Sequence, residues 1–406
     1  MLTGEQLKKE LLNNLFDSYS TYKAASIRSD FITHQELIDK ITSLIQSGLF
    51  SIEQIGKSID RREIFSIKIG KGKTKILAWS QMHGDEPTAT AALLDIFNFL
   101  SANDSFDSLR KSILQNLEIH FIPMLNPDGA ARYQRENAFN IDLNRDALRF
   151  QSDESQLLWK YAEKFKPEFG FNLHDQNSYY TAGRSNNPSA ISLLSPPMDH
   201  VKSINYTREK SMQVILKIRE ALDLFIPGQI ARYSDDYEPR AFGDNLTREG
   251  IGVILIESGF YRNDYKKDFV RKLNFISLLT AFETIIEKDY EKLFYADYFD
   301  IPENMKMLFD LLLRNLKLEF NGRTFVVDVG INRTKKYDLQ KQEFYYEGTI
   351  AELGDLSVFY GIEEENLEGY SIQSKNELKV DEPANFQILK DFTPKFEVAN
   401  GFLKSS

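Results

Sequence analysis

Two histidines and two glutamates of this chain follow or end apolar runs, where their side chains could do chemistry. His83 and Glu86 lie three positions apart after one apolar run, His174 follows a second run, and Glu257 ends a third. Two imidazoles and one carboxylate can hold a Zn²⁺ ion and leave its fourth tetrahedral position open for water. A glutamate that is not a ligand can take the proton of that water. The pattern therefore predicts metal-dependent hydrolysis.

The composition excludes several other classes of function. The chain has 406 residues, of which 42% are apolar, enough for one large α/β domain and a smaller one. Its net charge of −10 argues against a nucleic-acid partner, and we see no polybasic patch for a membrane. Cysteine is absent, so any metal must be held by His, Asp or Glu. The sequence leaves the oligomeric state unknown.

The start of the chain and its hydropathy predict a cytoplasmic protein. Residues 1–10 contain no apolar core of signal-peptide length, and no run reaches the roughly 18 apolar residues that a membrane span needs. Removal of a leader before this numbering began would defeat the inference.

Strands and helices are predicted to alternate along the first 300 residues. Apolar runs predict strands at 64–69, 75–82, 117–125, 169–173 and 252–256, and helical spacing predicts helices at 35–47, 89–100, 154–165, 204–225 and 268–287. This alternation predicts an α/β fold with a mainly parallel mixed sheet and helices on both faces. Every candidate catalytic residue falls at the carboxyl end of a strand or in the following loop, where ligand sites of open α/β sheets collect.

The pattern changes after about residue 300. Short β-branched and aromatic runs at 323–329, 343–350 and 356–360 are separated by Gly, Asn and Asp turns. We therefore predict two domains, a catalytic domain over 1–300 and a small β-rich accessory domain over 301–406.

Taken in order, the motifs resemble the zinc carboxypeptidase family, the metallocarboxypeptidases of carboxypeptidase A and B type and their bacterial relatives. The resemblance runs from Ile55-Gly56-Lys57-Ser58 to Glu257, about half of the chain, and does not cover residues 300–406. It implies a zinc carboxypeptidase-like fold for residues 1–300 and a peptide substrate with a free C-terminal carboxylate. It also implies one Zn²⁺ per chain, with ligands His83, Glu86 and His174.

The segment around residues 135–145 resembles the part of the family that binds the substrate. By this resemblance, Asn144 and Arg145 hold the C-terminal carboxylate, while Arg135 polarises the scissile carbonyl and steadies the oxyanion. Arg132 lies close in sequence and could exchange roles with Arg135. A solvated turn with ordinary surface arginines is the alternative interpretation.

Two carboxylates are assigned supporting and catalytic roles by the same resemblance. Asp142 matches an aspartate that accepts the free N–H of a zinc histidine, although Asp175, next to His174, could compete for that role. Glu257 matches the general base, which takes a proton from zinc-bound water and delivers it to the leaving amine. A structural carboxylate capping the following loop is the alternative for Glu257.

The match is weaker in the segment before Glu257. Asp244 resembles the family's aspartate of that segment, and Tyr237 falls one residue out of register with the catalytic tyrosine. Gly243 stands where the family's specificity residue stands, which leaves the preferred C-terminal residue unread. Arg240 could point into the pocket and favour an acidic side chain, or it could have a surface role.

The resemblance implies a zinc-dependent metallocarboxypeptidase that hydrolyses the C-terminal peptide bond of peptides, with either ordinary or cell-wall peptides as substrates. The alternative is a zinc amidohydrolase or deacylase of the desuccinylase and aspartoacylase type, acting on N-acyl amino acids, which often carries a C-terminal β domain. A catalytically silent peptide-binding module is a third possibility. Three stretches favour the peptidase: Asn126-Pro127-Asp128-Gly129, Arg135-Glu136-Asn137 and the strand Ile55-Gly56-Lys57-Ser58.

Overall fold

A computed structural model describes residues 4–45, 47–374 and 377–405 of the chain. The chain divides into two compact units. The first comprises residues 1–176 and 189–304, and the second comprises residues 177–188 and 305–406. The short segment 177–188 therefore belongs to the second unit, although it lies far from the rest of that unit in sequence.

The helices and strands have the following bounds. The α-helices are α1 (Gly4–Tyr22), α2 (His34–Ile45), α3 (Thr88–Ser101), α4 (Asp107–Asn116), α5 (Pro127–Arg132), α6 (Asp153–Phe165), α7 (Tyr206–Leu222), α8 (Phe242–Arg248) and α9 (Asp268–Glu287). Short 3₁₀ helices cover Leu143–Arg145, Asp289–Lys292 and Tyr295–Asp300. The strands are β1 (Ser51–Lys57), β2 (Glu63–Ile69), β3 (Thr74–Ser80), β4 (Leu117–Ile122), β5 (Phe169–Asp175), β6 (Tyr180–Ala182), β7 (Ile191–Leu194), β8 (Ile230–Arg232), β9 (Gly252–Ser258), β10 (Asn304–Lys306), β11 (Leu308–Phe320), β12 (Arg323–Asp338), β13 (Glu343–Gly354), β14 (Tyr360–Asn366), β15 (Ser371–Gln373), β16 (Phe386–Lys390), β17 (Thr393–Ala399) and β18 (Phe402–Ser405).

The first unit is built on an eight-stranded mixed sheet with the order β1-β2-β4-β3-β5-β9-β7-β8. Its centre is parallel, because β3 pairs with both β4 and β5, and β5 pairs with β9, all in parallel register. Strands β1, β2 and β7 join in antiparallel register. The predicted α/β class with a mainly parallel mixed sheet is confirmed.

Both faces of this sheet are buried by helices. Along β3, Ile76 and Ala78 belong to one apolar core with residues of α3, α7 and α9. The alternate residues Leu77 and Trp79 belong to a second core with residues of α6 and α8. Since successive side chains of a strand point to opposite faces, this division explains why the central strands read as continuous apolar runs.

The second unit is β-rich, as predicted for the end of the chain. Its large sheet has the order β13-β12-β11-β15-β16-β17-β18, and β14 pairs with β11 in parallel register. The prediction of a strand at 356–360 is wrong, since β14 begins only at Tyr360. The Asp355 carboxylate accepts a hydrogen bond from the Ser357 amide at 3.0 Å, and the Phe359 amide donates to the Leu356 carbonyl at 2.9 Å, so the chain turns there.

Within the described ranges, no helix is both long and apolar enough to cross a bilayer.

Candidate metal centre

The candidate residues converge where the central strands of the first unit end. Strand β3 stops at Ser80, two residues earlier than predicted, and Gln81 adopts a left-handed φ of 51° that turns the chain into the loop carrying His83 and Glu86. His174 lies near the end of β5 and pairs directly with Glu257 on β9. Parallel strands end at the same edge of a sheet, so all four residues meet there.

Close backbone packing holds the loop after β3 in place. A Cβ atom on Gly84 would lie only 1.9 Å from the Gly129 carbonyl carbon, so a side chain at this position is incompatible with α5. The buried Asn126 amide donates at 3.2 Å to both the Met82 and Arg135 carbonyls. The Asn126-Pro127 motif at the start of α5 thus fixes the Arg135 backbone beside the His83 loop.

Three side chains form the one described group of His, Asp or Glu residues whose geometry could hold a metal ion, namely His83, Glu86 and His174. His83 Nδ1 lies 2.8 Å from one Glu86 oxygen, and His174 Nδ1 lies 2.7 Å from the other. The two Nδ1 atoms are 3.2 Å apart. All three side chains are buried.

The donor set fits a zinc ion. Zn–N bonds of about 2.0–2.1 Å in a tetrahedral arrangement place two ligand nitrogens roughly 3.3 Å apart, close to the separation of the two histidines. Two imidazole nitrogens that face each other with a carboxylate between them need a cation or shared protons. Burial alone would lower the pKa of His83, but the charge of Glu86 and the hydrogen bond with Asp142 raise it to about 9, whereas burial lowers the pKa of His174.

Asp142 connects three candidate residues. Its Oδ1 lies 3.1 Å from His83 Nε2 and accepts a hydrogen bond from the Asn144 amide at 2.8 Å. Its Oδ2 accepts a hydrogen bond from Arg135 Nε at 3.0 Å. Burial tends to raise the pKa of Asp142, but His83 and Arg135 together hold it well below its usual range. The carboxylate is therefore charged and orients His83 so that Nδ1 faces Glu86 and His174.

Asp175 has other partners. Its Oδ2 accepts hydrogen bonds from the Thr88 hydroxyl at 2.5 Å and from Lys267 Nζ at 3.1 Å. Lys267 Nζ also donates to the Gln176 and Ser258 carbonyls. Lys267 thereby joins the ends of β5 and β9 directly beyond His174 and Glu257, and the suggested competition between Asp175 and Asp142 is not what the contacts show.

Glu257 is buried, and its Oε2 atom has no hydrogen-bond partner among the described residues. Burial, followed by the negative charge of Glu86, raises the pKa of this carboxyl well above its usual range. A buried carboxyl oxygen without a partner is costly in a purely structural role. The loop-capping alternative would require hydrogen bonds from that loop, and this oxygen receives none.

The three candidate arginines, Arg132, Arg135 and Arg145, differ in how close they lie to His83, Glu86 and His174. Arg135 Nη1 donates to His83 Nδ1 at 3.1 Å and lies 3.4 Å from Glu86, so its guanidinium reaches the centre. Arg132 instead pairs with Asp60 at 2.9 Å, which argues against an exchange of roles. Arg145 lies in the 3₁₀ turn that Asp142 caps.

Of the candidate residues in the segment before β9, only some contact the rest of the candidate site. The Asn144 side chain accepts a hydrogen bond from the Phe242 amide at 2.9 Å, which links the 3₁₀ turn to the start of α8. Asp244 is buried, and burial raises its pKa to about 7. The Tyr237 ring packs edge-on against His200, with centroids 4.7 Å apart, and its catalytic role stays a prediction. Arg240 is exposed and is held by Glu238 through two guanidinium nitrogens.

The sequence did not single out two polar features of the site. The first is a pair of buried polar groups, since both amide atoms of Asn172 and the hydroxyl of Thr247 have no partner in the described structure. Asn172 lies two residues before His174, on the same face of β5, and its Nδ2 is 3.7 Å from where a Gly243 Cβ would stand. A polar residue within the apolar run of β5 was the available signal. The second feature is Glu238, which no sequence pattern distinguished.

Part of this chain is similar in sequence to known proteins. Residues 36–218 match the family model described as zinc carboxypeptidase. Carboxypeptidase SOL1 of Arabidopsis thaliana is 29% identical over 144 residues, which are 34% of this chain and 29% of that protein. Carboxypeptidase 2 of Trichophyton rubrum is 31% identical over 116 residues, which are 28% of this chain and 20% of that protein. The alignments thus span less than a third of these relatives.

Solved structures share the fold at low sequence identity. A metallo-carboxypeptidase from Burkholderia cenocepacia superposes with a TM-score of 0.53 and 14% identity, over 63% of this chain and 69% of that one. Carboxypeptidase A from Helicoverpa armigera has a TM-score of 0.50 and 16% identity, over 71% and 83% of the two chains. The fold is that of the zinc carboxypeptidases. The stretch that matches the zinc carboxypeptidase family model, residues 36–218, includes His83, Glu86 and His174.

Proposed function

We propose that this chain is a zinc-dependent metallocarboxypeptidase that hydrolyses the C-terminal peptide bond of peptides. The observation that carries the proposal is the convergence of His83, Glu86 and His174 with Arg135 and the buried, unpartnered Glu257 at one edge of the sheet. A structural cluster would satisfy its polar atoms internally. Here Glu257, which pairs with His174 across β5 and β9, has a buried oxygen without a partner.

His83 and His174 bind the metal as neutral imidazoles, and Glu86 binds it as a carboxylate. The Asp142 carboxylate keeps the His83 proton on Nε2, which leaves the Nδ1 lone pair for the metal. A bound Zn²⁺ ion supplies a Lewis acid that polarises a carbonyl and lowers the pKa of water. Arg135, whose guanidinium lies at the centre, stabilises negative charge on the carbonyl oxygen of the scissile bond.

Glu257 is the proposed general base. Its side chain is directly across from His174, is shielded from solvent, and has an oxygen free to accept a proton. It takes the proton of the attacking water and gives it to the leaving amine. Arg145 supplies a guanidinium for the C-terminal carboxylate of the peptide, and Asn144 steadies the turn that presents it.

The deacylase alternative is not favoured. The matching family model and the similar curated proteins are carboxypeptidases, and the second unit does not itself distinguish the two classes. A peptide library offered beside N-acyl amino acids tests this choice, because the amine that appears identifies both the reaction and the preferred C-terminal residue. Release of amines from N-acyl amino acids alone would reverse the assignment.

The proposed carboxylate anchor is tested with a matched pair of substrates. A peptide with a free C-terminus and its C-terminal amide differ in one charge, and the loss of a charge-assisted contact of about 1.5–3 kcal/mol predicts that kcat/KM is more than tenfold lower for the amide. Arg145→Gln should abolish this preference. Arg149→Gln, a substitution of an exposed arginine four residues further on, should keep it. Equal cleavage of acid and amide by the wild type would exclude an exopeptidase anchored in this way.

A further inference from the structure

The proposed carboxylate anchor already has a carboxylate partner within the chain. Arg145 Nε lies 3.3 Å from Oε2 of Glu238, a residue in the loop between β8 and α8. A second guanidinium nitrogen of Arg145, Nη1, donates to the Asn144 carbonyl at 2.8 Å. Glu238 therefore approaches the edge of the guanidinium that is left for a bidentate carboxylate.

The position of Glu238 is set by its own loop. Its backbone amide donates to the Asp244 carboxylate at 3.0 Å. Its carboxylate accepts from the Arg240 amide at 3.1 Å, from Arg240 Nε at 2.9 Å and from Arg240 Nη2 at 2.7 Å. The hydrogen bonds from Arg240, with the charges of Arg240 and Arg145, hold the pKa of Glu238 at about 2, so the carboxylate is charged throughout the neutral range.

We propose that Glu238 mimics the C-terminal carboxylate of the substrate, occupies Arg145 in the free protein, and is exchanged for that carboxylate when a peptide binds. This inference rests on the proposed role of Arg145. The two carboxylates compete for the same guanidinium edge, because each edge holds one carboxylate in bidentate geometry and Nη1, which belongs to the other edge, already donates to the Asn144 carbonyl. Glu238 keeps a partner after the exchange, since Arg240 binds it through three donors.

The charges of Arg145, Arg240 and Glu238 determine which C-terminal residues of a peptide the exchange favours. Arg145 and Arg240 carry two positive charges, and Glu238 cancels one of them, so one further carboxylate neutralises the cluster. Arg240 is therefore not free to bind an acidic substrate side chain. A second carboxylate on the C-terminal residue would enter a cluster that is already neutral, next to Glu238. The competition thus makes Glu238 a specificity-determining residue that disfavours acidic C-terminal residues.

The expected effect is modest because the pair is partly solvated. The side chains of Arg145 and Glu238 are 39% and 27% exposed, and exposed ion pairs of this kind change an equilibrium by about two- to fivefold. Glu238→Gln should therefore bind a monocarboxylate about two- to fivefold more tightly than the wild type. Hippurate is a suitable probe, and hippuramide, which lacks the carboxylate, should bind both proteins equally.

The experiment is a calorimetric titration of the zinc-loaded full chain with hippurate and hippuramide. Glu249→Gln is the matched control, because Glu249 is 55% exposed and lies 3.9 Å from Arg248 in a comparable surface pair. That control should bind hippurate as the wild type does. Glu238→Asp keeps the charge but shortens the side chain, so tighter hippurate binding by this variant identifies contact with Arg145 as the cause. If Glu238→Asp binds hippurate only as tightly as the wild type does, the exchange is refuted, and the effect of Glu238→Gln comes from the long-range electrostatic field of the charge alone.

Two outcomes separate this inference from the proposed function. If the protein cleaves peptides but Glu238→Gln binds hippurate equally or more weakly, Glu238 supports Arg145 instead of competing with it, and the inference fails alone. If no peptide is cleaved while Glu238→Gln still binds hippurate more tightly, the proposed function fails and the exchange stands. In an active enzyme, KM for peptides ending in Asp or Glu should fall further in Glu238→Gln than KM for peptides ending in neutral residues.

Discussion

Replacing Asp142 by Asn should weaken zinc binding without unfolding the protein. The carboxylate faces three donors, which are His83 Nε2, the Asn144 amide and Arg135 Nε. An asparagine has one oxygen left as an acceptor. Its NH₂ group faces Arg135 Nε in one orientation, or both His83 Nε2 and the Asn144 amide in the other. At least one donor therefore faces another donor, and His83 loses the charge that fixes its tautomer.

The size of the effect follows from the contacts that change. Removal of a carboxylate that orients a metal-binding histidine lowers metal affinity by about 10- to 100-fold. That range equals about 1.4–2.8 kcal/mol, close to the contribution of one hydrogen bond to a charged group. The Asn144 amide can keep its bond to the remaining oxygen, so the 3₁₀ turn should persist and the change in folding stability should be smaller than the change in metal affinity.

The assay is competition for zinc against a chelator of known affinity, with circular dichroism to verify the fold. Asp153→Asn is a suitable control, since Asp153 lies in the first turn of α6, is exposed, and should affect zinc binding less than twofold. A zinc affinity of Asp142→Asn within twofold of the wild type would refute the reasoning that this carboxylate orients His83. An equal loss in the control would point to a general electrostatic effect.

Three further perturbations test other parts of the structure. Glu257→Gln should keep its zinc but lose about 10² to 10⁴ in kcat, as expected for a positioned proton acceptor, and near-wild-type turnover would contradict this role. His174→Ala should lose stoichiometric zinc and activity together, and full metal content after dialysis would remove it from the ligand set. Burial and the charge of Glu287 raise the pKa of Glu283 from its ordinary 4.5 to about 7, so its stabilising contribution is present below pH 4.5 and lost as the pH rises through 7. Glu283→Gln should therefore raise the free energy of unfolding at pH 8 by about 1–2 kcal/mol, allowing for partial exposure, with no gain in thermal melts at pH 4.

Much of the first unit could be predicted because its central strands are buried on both faces and its helices carry helical spacing. The helix predicted at 268–287 is α9, and the strand predicted at 64–69 is β2 extended by one residue. The strands predicted at 75–82 and 117–125 run too long, since apolar residues continue past the last ladder hydrogen bonds into buried loops. The segment 177–188 could not be assigned to the second unit, because a local pattern does not report which distant strands a hairpin joins.

The candidate site was predictable to different degrees. His83, Glu86, His174 and Glu257 stood out because a polar residue at the end of an apolar run has few structural explanations. Contacts made by long flexible side chains were not predictable. Arg132 and Arg135 lie three positions apart in sequence, yet Arg132 pairs with Asp60 and Arg135 reaches His83.

The sequence by itself determined the residue types that could hold a metal and the order of the elements that carry them. These features are local, because they depend on side-chain chemistry and on the periodicity of neighbouring residues. Only the tertiary structure decided that His174 and Glu257 stand side by side on β5 and β9, and that Asp142 holds His83, Arg135 and Asn144 together. It alone brought Glu238 to Arg145, 93 positions earlier in the chain. Sheet order and loop packing bring residues distant in sequence within bonding range, and no local pattern encodes those distances.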